Sequence, residues 1–268
     1  MNVSSWLKRT ATSSSVARLD VELILAQALG KDRVFLYAHP DYELSEAEEQ
    51  NAQKMLSRRV NHEALAYITG KKEFYGREFS VSPDVLIPRP ESEAIVNLAK
   101  EISPKPLKIL DVGTGSGCLA ITLKLEIPEA EVTALDISPK ALEVAKNNAR
   151  ALGAEVDFRR SDLFSRVEGC KFDLIVANLP YVDKNWDWLS PELKYEPDLA
   201  LYAENGGLEL IQKLIDQASA YLLNDGNLIL ESDLSQHDSI EQYARQNAQF
   251  ELQESLGLAQ IFRKNHKS

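Results

Sequence analysis

The stretch Lys108-Ile-Leu-Asp-Val-Gly-Thr-Gly-Ser-Gly117 constrains the fold more than any other, because a buried-strand pattern runs straight into a glycine loop. Gly113, Gly115 and Gly117 stand at alternate positions, where a missing Cβ lets the backbone turn sharply and approach a ligand. Residues 118 to 127 follow as a helix whose free N–H groups point back at the loop. Strand, glycine turn and helix N-terminus in that order start a nucleotide-type cofactor site, with Thr114 and Ser116 between the glycines.

Two cofactors answer to this loop. A nicotinamide dinucleotide is one, since Gly115-Ser-Gly117-Cys-Leu-Ala120 fits G-x-G-x-x-A and Asp136 ends the next strand as a ribose ligand would. S-adenosylmethionine is the other, and two features favour it. Asp111 puts a carboxylate at the strand end where a cationic amino-acid head would lie, and Asn178-Leu-Pro-Tyr181 closes the fourth strand.

The chain has 268 residues, 44% of them hydrophobic, which is enough for one large domain and a small one. No run approaches the length of a membrane span, and Met1-Asn-Val-Ser-Ser-Trp6 lacks the basic and apolar regions of a signal peptide, so a cytoplasmic protein is expected. Cys118 and Cys170 have no metal-ligand spacing, so free thiols and no metal are expected. Residues 1 to 75 carry ten basic and ten acidic side chains; the net charge of −11 therefore falls on the remainder, with 20 basic against 31 acidic. An acidic catalytic half argues against a large phosphate footprint and suits a cationic cofactor and a protein partner.

Residues 18 to 30 read as an amphipathic helix with Leu19, Leu23, Ala26 and Leu29 on its apolar side and Gly30 as a left-handed stop. A short helix begins at Asp32, and a third begins at Ser45 with Glu48 as a capping box and Met55, Leu56 and Val60 as its stripe. Residues 1 to 65 thus form a small helical domain. From 66 to 90 a hairpin turning at Gly76-Arg77 and a loop stiffened by Pro83, Pro88 and Pro90 link it to a domain covering 91 to 268. There, strands near 107–112, 131–135, 154–159, 172–177 and 227–231 alternate with helices near 118–127, 139–152 and 207–223. A helix near 236–248 and strands near 250–256 and 259–263 complete an α/β fold, a Rossmann-like, mostly parallel sheet of seven strands.

Ligands of such sheets bind beyond the carboxyl ends of the strands. Asp111, Asp136, Asp162 and Asn178 stand at four of those ends, which points to one site. Asp136, 23 residues after Gly113, would accept from two ribose hydroxyls; Asp162 would lie by the adenine amino group with Leu163 against the ring, or else cap a turn. Asn178-Leu-Pro-Tyr181 resembles the N-P-P-Y signature of methyltransferases that act on planar amide or exocyclic amine nitrogens. If Asn178 Oδ1 and the Leu179 carbonyl each accept an N–H of such a nitrogen, its lone pair is aimed at the cofactor methyl. Pro180 restricts Leu179 to extended conformations, and Tyr181 could stack on the planar group. The long connection from 182 to 205 reads as a lid, with Trp186 and Trp188 packed inside it.

Taken together, Arg18-Leu-Asp-Val-Glu22, Ala66-Tyr-Ile-Thr-Gly70, Phe74-Tyr-Gly76, Val85-Leu-Ile-Pro-Arg-Pro-Glu91, the Asp111 to Gly117 loop and Tyr195-Glu-Pro-Asp-Leu-Ala-Leu201 resemble the release-factor glutamine methyltransferases (PrmC/HemK family) along almost the whole chain. The resemblance implies a methyltransferase fold after a helical substrate-docking domain, with S-adenosylmethionine as cofactor. It implies methyl transfer to the glutamine amide in the Gly-Gly-Gln motif of a peptide-chain release factor; a monomer with no nucleic-acid or membrane partner is expected. By the same match Gly113, Thr114, Gly115, Ser116, Gly117, Asp136, Leu163 and Asn178 would contact the cofactor, to which the strand-end reading adds Asp111 and Asp162. Asn178, Leu179, Pro180 and Tyr181, with Arg89, would hold the glutamine. Two departures stand out: Leu179 replaces the first of the family's two prolines, as in ribosomal-RNA adenine methyltransferases, and Glu231-Ser-Asp-Leu lacks the family's glycine. Methylation of a ribosomal-protein glutamine or of ribosomal-RNA adenine are the alternatives.

Overall fold

The computed structural model describes residues 1–102, 108–187 and 189–265. These divide into two compact units, Met1–Lys71 with Leu189–Tyr195, and the rest of the described chain.

The first unit is built from α1 (Val3–Ser13), α2 (Arg18–Leu29), α3 (Arg33–Ala38), α4 (Glu46–Val60) and α5 (Leu65–Thr69). Caps fix the ends: Asn2 accepts from Ser5 N, Asp32 from Phe35 N, and Ser45 and Glu48 form the expected box, while α2 stops on Gly30 at φ 62°. The sequence pattern misses α1, because only Val3 and Trp6 among its polar residues bury large side chains. It also reads two faces only in part. On α2, Ala26 is buried and Leu29 packs against the core as expected, but Val21, Ile24 and Leu25 complete the buried side and Leu19 is half-exposed; on α4, Leu56 is buried and Met55 packs against the core, joined by Ala52, while Val60 points outward. Buried Glu22 holds Arg18 at 3.0 Å and Arg33 at 2.9 Å, so the charge costs little where it is paired twice.

The second unit opens with β1 (Lys71–Phe74) and β2 (Arg77–Ser80). Their turn is Tyr75-Gly76, both left-handed (φ 52° and 69°), one residue earlier than the sequence spacing suggests. Phe74 and Phe79 join the core of this unit, and Asn148 brackets Ser80, accepting from its N–H at 2.8 Å and donating to its carbonyl at 3.0 Å. Then come α6 (Glu93–Ile102), β3 (Lys108–Val112), α7 (Cys118–Glu126), β4 (Glu131–Asp136), α8 (Pro139–Leu152), β5 (Asp157–Arg160), β6 (Phe172–Ala177), α9 (Asp198–Leu201), α10 (Glu209–Tyr221), β7 (Leu222–Glu231), α11 (His237–Asn247), β8 (Phe250–Leu256) and β9 (Ala259–Lys264).

The larger sheet has the order β5-β4-β3-β6-β7-β9-β8, parallel up to β7, with β9 antiparallel to both neighbours. Successive side chains of a strand point to opposite faces. Ile109, Leu174 and Val176 therefore enter one core with α6 and α7, and Leu110, Val112, Ile175 and Ala177 enter the other with α10 and α11. Chain order reverses between β3 and β6, so a crevice must open where their loops part.

Candidate active site

One cavity lies at that point, walled by the loops after β3, β4, β5 and β6. Of the predicted residues, Gly113, Thr114, Gly115, Ser116, Asp136, Asp162, Leu163, Asn178, Leu179, Pro180 and Arg89 line it; Asp111, Gly117 and Tyr181 stand behind its wall. The pleat explains Asp111: it shares a face with Ile109 and is wholly buried under α7, with Oδ2 accepting from Thr114 Oγ1 at 2.6 Å and Oδ1 unpartnered. Burial pushes its pKa up to about 7, against the opposing pull of the Thr114 hydroxyl. Gly117 serves helix packing, since a Cβ there would come within 2.9 Å of Ile121 Cδ1 and 3.1 Å of Ala145 Cβ.

The loop is pinned to the end of β4. Gly113 and Thr114 both donate to the Leu135 carbonyl at 2.9 Å, and Gly115 N donates to Asp136 Oδ2 at 2.8 Å. Asp136 Oδ1 accepts from Ser138 N at 2.8 Å, so each carboxylate oxygen keeps a lone pair. Burial raises the Asp136 pKa, and the backbone N–H bonds oppose it. All three loop glycines have positive φ (78°, 55° and 82°), and at Gly115 a Cβ would meet nothing within 4 Å. After β5, Leu163 is left-handed at φ 43°, and its carbonyl accepts from Ser161 Oγ at 2.6 Å. A leucine held in that region is strained by about 1–3 kcal/mol, which the turn must support.

Asn178 follows β6 directly. Its Nδ2 donates to Ser92 Oγ at 2.9 Å and to Glu231 Oε1 at 3.0 Å. Tyr181 Oη donates to the same Glu231 oxygen at 3.1 Å, while Gln236 Nε2 donates to the Tyr181 and Gly206 carbonyls at 2.9 and 2.8 Å. Glu231 is buried at the end of β7, its Oε2 has no partner, and burial raises its pKa. The strand-end rule would have found Glu231 had it been carried to the fifth strand; Ser92 and Gln236 leave no local signal.

Arg89 is tied to buried Glu196, which also accepts from Ile87 N at 3.1 Å, so its charge at the rim is already paired. Cys118 lines the wall, but burial pushes its thiol up to about 12, which keeps it protonated and unreactive. In the long connection, Val182 N donates to the Leu201 carbonyl at 3.0 Å and Ala203 N to the Val182 carbonyl at 3.2 Å, closing the loop on itself. Trp186 is half-buried there; Trp188 lies outside the described residues. Among the described residues no group of three His, Cys, Asp or Glu could hold a metal ion, and no helix is long and apolar enough to cross a membrane.

The cavity suits S-adenosylmethionine on its own chemistry. An open glycine cradle, a carboxylate at Asp136 with lone pairs to spare for a diol, apolar walls from Leu135, Ile137 and Leu163, and a buried carboxyl oxygen without a protein partner behind the loop are chemically suited to its amino acid, ribose, adenine and positive charge.

The family model of the methyltransferase small domain matches residues 93–188, and that of the PrmC N-terminal domain matches residues 4–70. A release factor glutamine methyltransferase of Koribacter versatilis is 41% identical over 247 residues, 90% of this chain and 88% of the relative. One of Geobacter sulfurreducens is 38% identical over 242 residues, 89% and 85% of the two chains. Among solved structures, a methyltransferase from Pyrococcus furiosus shares the fold, with a TM-score of 0.57 at 20% identity over 80% of this chain and 100% of that one.

Proposed function

This chain belongs to the release factor glutamine methyltransferases, and from that premise we propose that it transfers a methyl group from S-adenosylmethionine to the side-chain amide nitrogen of the glutamine in the Gly-Gly-Gln motif of peptide-chain release factors. One observation carries the reading to the atoms: Asn178 spends its Nδ2 on Ser92 and Glu231, which leaves Oδ1 as the free polar atom of a side chain on the cavity wall. The Leu179 carbonyl, without a partner among the described residues, stands next to it. Two adjacent acceptors match the two N–H groups of a primary amide. Holding both fixes the plane of the amide so that the face of its nitrogen, where the lone pair lies, is turned toward the cofactor; the positive charge that grows on nitrogen as it takes the methyl meets two preorganised dipoles, and is relieved when one of the two held protons leaves to solvent. S-adenosylmethionine, when bound, supplies the methyl as an electrophile on sulfur. The Gly113 to Ser116 backbone and Asp136 would hold it, with Leu163 and Asp162 beside its base, and Asp111 would act through its field.

The test is to incubate the full chain and methyl-labelled S-adenosylmethionine separately with release factor, ribosomal protein and ribosomal RNA, then locate the label by mass spectrometry. Label on the Gly-Gly-Gln glutamine is expected. Label on RNA adenine alone would overturn the reading.

The protonation of Asp111 makes cofactor affinity pH-dependent. Below about 7 the free chain holds a proton there, and a cationic ligand must expel it. Affinity for S-adenosylmethionine should rise about tenfold from pH 6 to pH 8, and Asp111→Asn should flatten the profile, as read by calorimetry. Stability of the cofactor-free chain runs the other way. The folded pKa lies above the unfolded value of 3.8, so this contribution is present at low pH and is lost as pH rises from about 4 through 7.

Leu179→Pro restores the family's tetrapeptide and keeps the carbonyl. Because the Leu179 N–H has no partner among the described residues, proline removes no hydrogen bond. Glutamine methylation should stay within about tenfold of the native rate, the margin for losing the contact between the Leu179 side chain and Gly113.

Residues 1–65 carry the docking of the release factor in this reading, in the cytosol where that partner works. Val34 and Tyr37 on α3 are exposed and apolar, as a contact surface requires. A photoreactive side chain at Val34 should crosslink to release factor, and absence of any crosslink during turnover would count against docking through α3.

A further inference from the structure

We propose that Glu231 is the positioning residue that decides which end of the Asn178 amide faces the substrate; the inference rests on the function proposed above. An asparagine amide is nearly symmetric in shape, and rotation by half a turn exchanges an acceptor for two donors. Ser92 cannot choose between the two orientations, because a hydroxyl accepts and donates equally well. Glu231 Oε1 only accepts here, whether the carboxyl is ionised or carries its proton on Oε2, because it takes both the Asn178 and the Tyr181 donors. With Glu231 Oε1 3.0 Å from Asn178 Nδ2, the reversed amide would set two oxygens against each other in a buried site, where a lost hydrogen bond is most costly.

The arrangement around Glu231 leaves little freedom. Tyr181 Oη donates to the same oxygen at 3.1 Å, so one carboxylate oxygen ties the first and last residues of the Asn178 to Tyr181 tetrapeptide. Oε2 is buried and takes no hydrogen bond from the described residues, so the carboxylate engages the tetrapeptide through Oε1. The strand end of β7 thereby aims a side chain that belongs to the end of β6.

Glu231→Gln tests this, since the shape is kept while an acceptor becomes able to donate. The new amide can hand a hydrogen to Asn178 Oδ1, and Asn178 then offers Nδ2, a donor, to a glutamine amide that needs an acceptor. The rate constant kcat for release-factor methylation should fall roughly ten- to a hundredfold, with KM and S-adenosylmethionine affinity within about twofold. In an Asn178→Ala background the same substitution should cost less than about twofold, because there is no amide left to orient. Ser92→Ala should cost less than Glu231→Gln. An equal fractional loss with and without Asn178 would overturn the proposal. A second reading does not depend on turnover: in nuclear magnetic resonance spectra of chain labelled with nitrogen-15 in asparagine, the Asn178 side-chain pair, identified by its loss in Asn178→Ala, should exchange slowly with water, and faster in Glu231→Gln. Identical exchange in both would also overturn it. If the native chain placed no methyl on glutamine, the proposed function would fail while the exchange measurement still decided the orientation.

Discussion

Asn178→Ala should lower the rate of glutamine methylation by about a hundred- to a thousandfold, the loss expected when one preorganised group is taken from a developing charge, or roughly 2.7–4 kcal/mol. Affinity for S-adenosylmethionine should fall far less, because the glycine loop and Asp136 keep their own bonds to each other when Asn178 is gone. The substitution also removes a donor from Glu231 and from Ser92, so a small loss of stability is expected beside the kinetic effect. Single-turnover rates with saturating cofactor separate these contributions. A variant that bound cofactor normally and methylated within threefold of the native rate would rule out the two-acceptor arrangement.

Gly207→Ala should be the most disruptive conservative change in the second unit. Gly207 has φ 83°, and a Cβ there would stand 1.9 Å from the Tyr181 carbonyl oxygen and 2.6 Å from Gln236 Nε2. A backbone oxygen cannot be moved without moving the tetrapeptide it belongs to. The left-handed strain alone costs about 1–2 kcal/mol, and displacing Tyr181 also breaks the Gln236 bond to its carbonyl, bringing the total to about 3–5 kcal/mol. That corresponds to a fall in melting temperature of roughly 5–9 °C for a chain of this size. A shift of the Asn178 to Tyr181 segment by about 1 Å should in addition reduce methylation on the order of a hundredfold. Gly206→Ala is the control: it also has positive φ (65°), but its Cβ would meet nothing within 4 Å, so it should show the backbone strain and keep the rate. If the two alanines behaved alike in thermal unfolding and in turnover, the close approach to Tyr181 would have no functional weight.

Local chemistry made much of this molecule readable in advance. The Lys108 to Gly117 stretch, the Ser45 and Glu48 capping box, and Gly30 as a left-handed stop each express a rule that acts within a few residues. Alternation of β-rich and helix-period segments implied a mostly parallel sheet, and the polar residues closing its strands marked the site. Where a rule needed to know which way a side chain would point, it failed or was silent. The stripe of α2 was read in part, with Leu19 left exposed and Val21, Ile24 and Leu25 missed, the hairpin turn slipped by one residue, and Asp111 lay under α7 instead of on the cavity wall.

By itself, the sequence determined the backbone kit: the glycine loop, the helix ends, the strand that stops at Asn178, and the family to which the chain belongs, because all of these follow from neighbours along the chain. Only the tertiary structure decided that β9 slips between β7 and β8, and that Glu231, Ser92 and Gln236 converge on one tetrapeptide from 50 to 86 residues away. The physical reason is that a hydrogen bond to a buried amide depends on distance and orientation in space, which the order of strands across the sheet sets and no local spacing encodes.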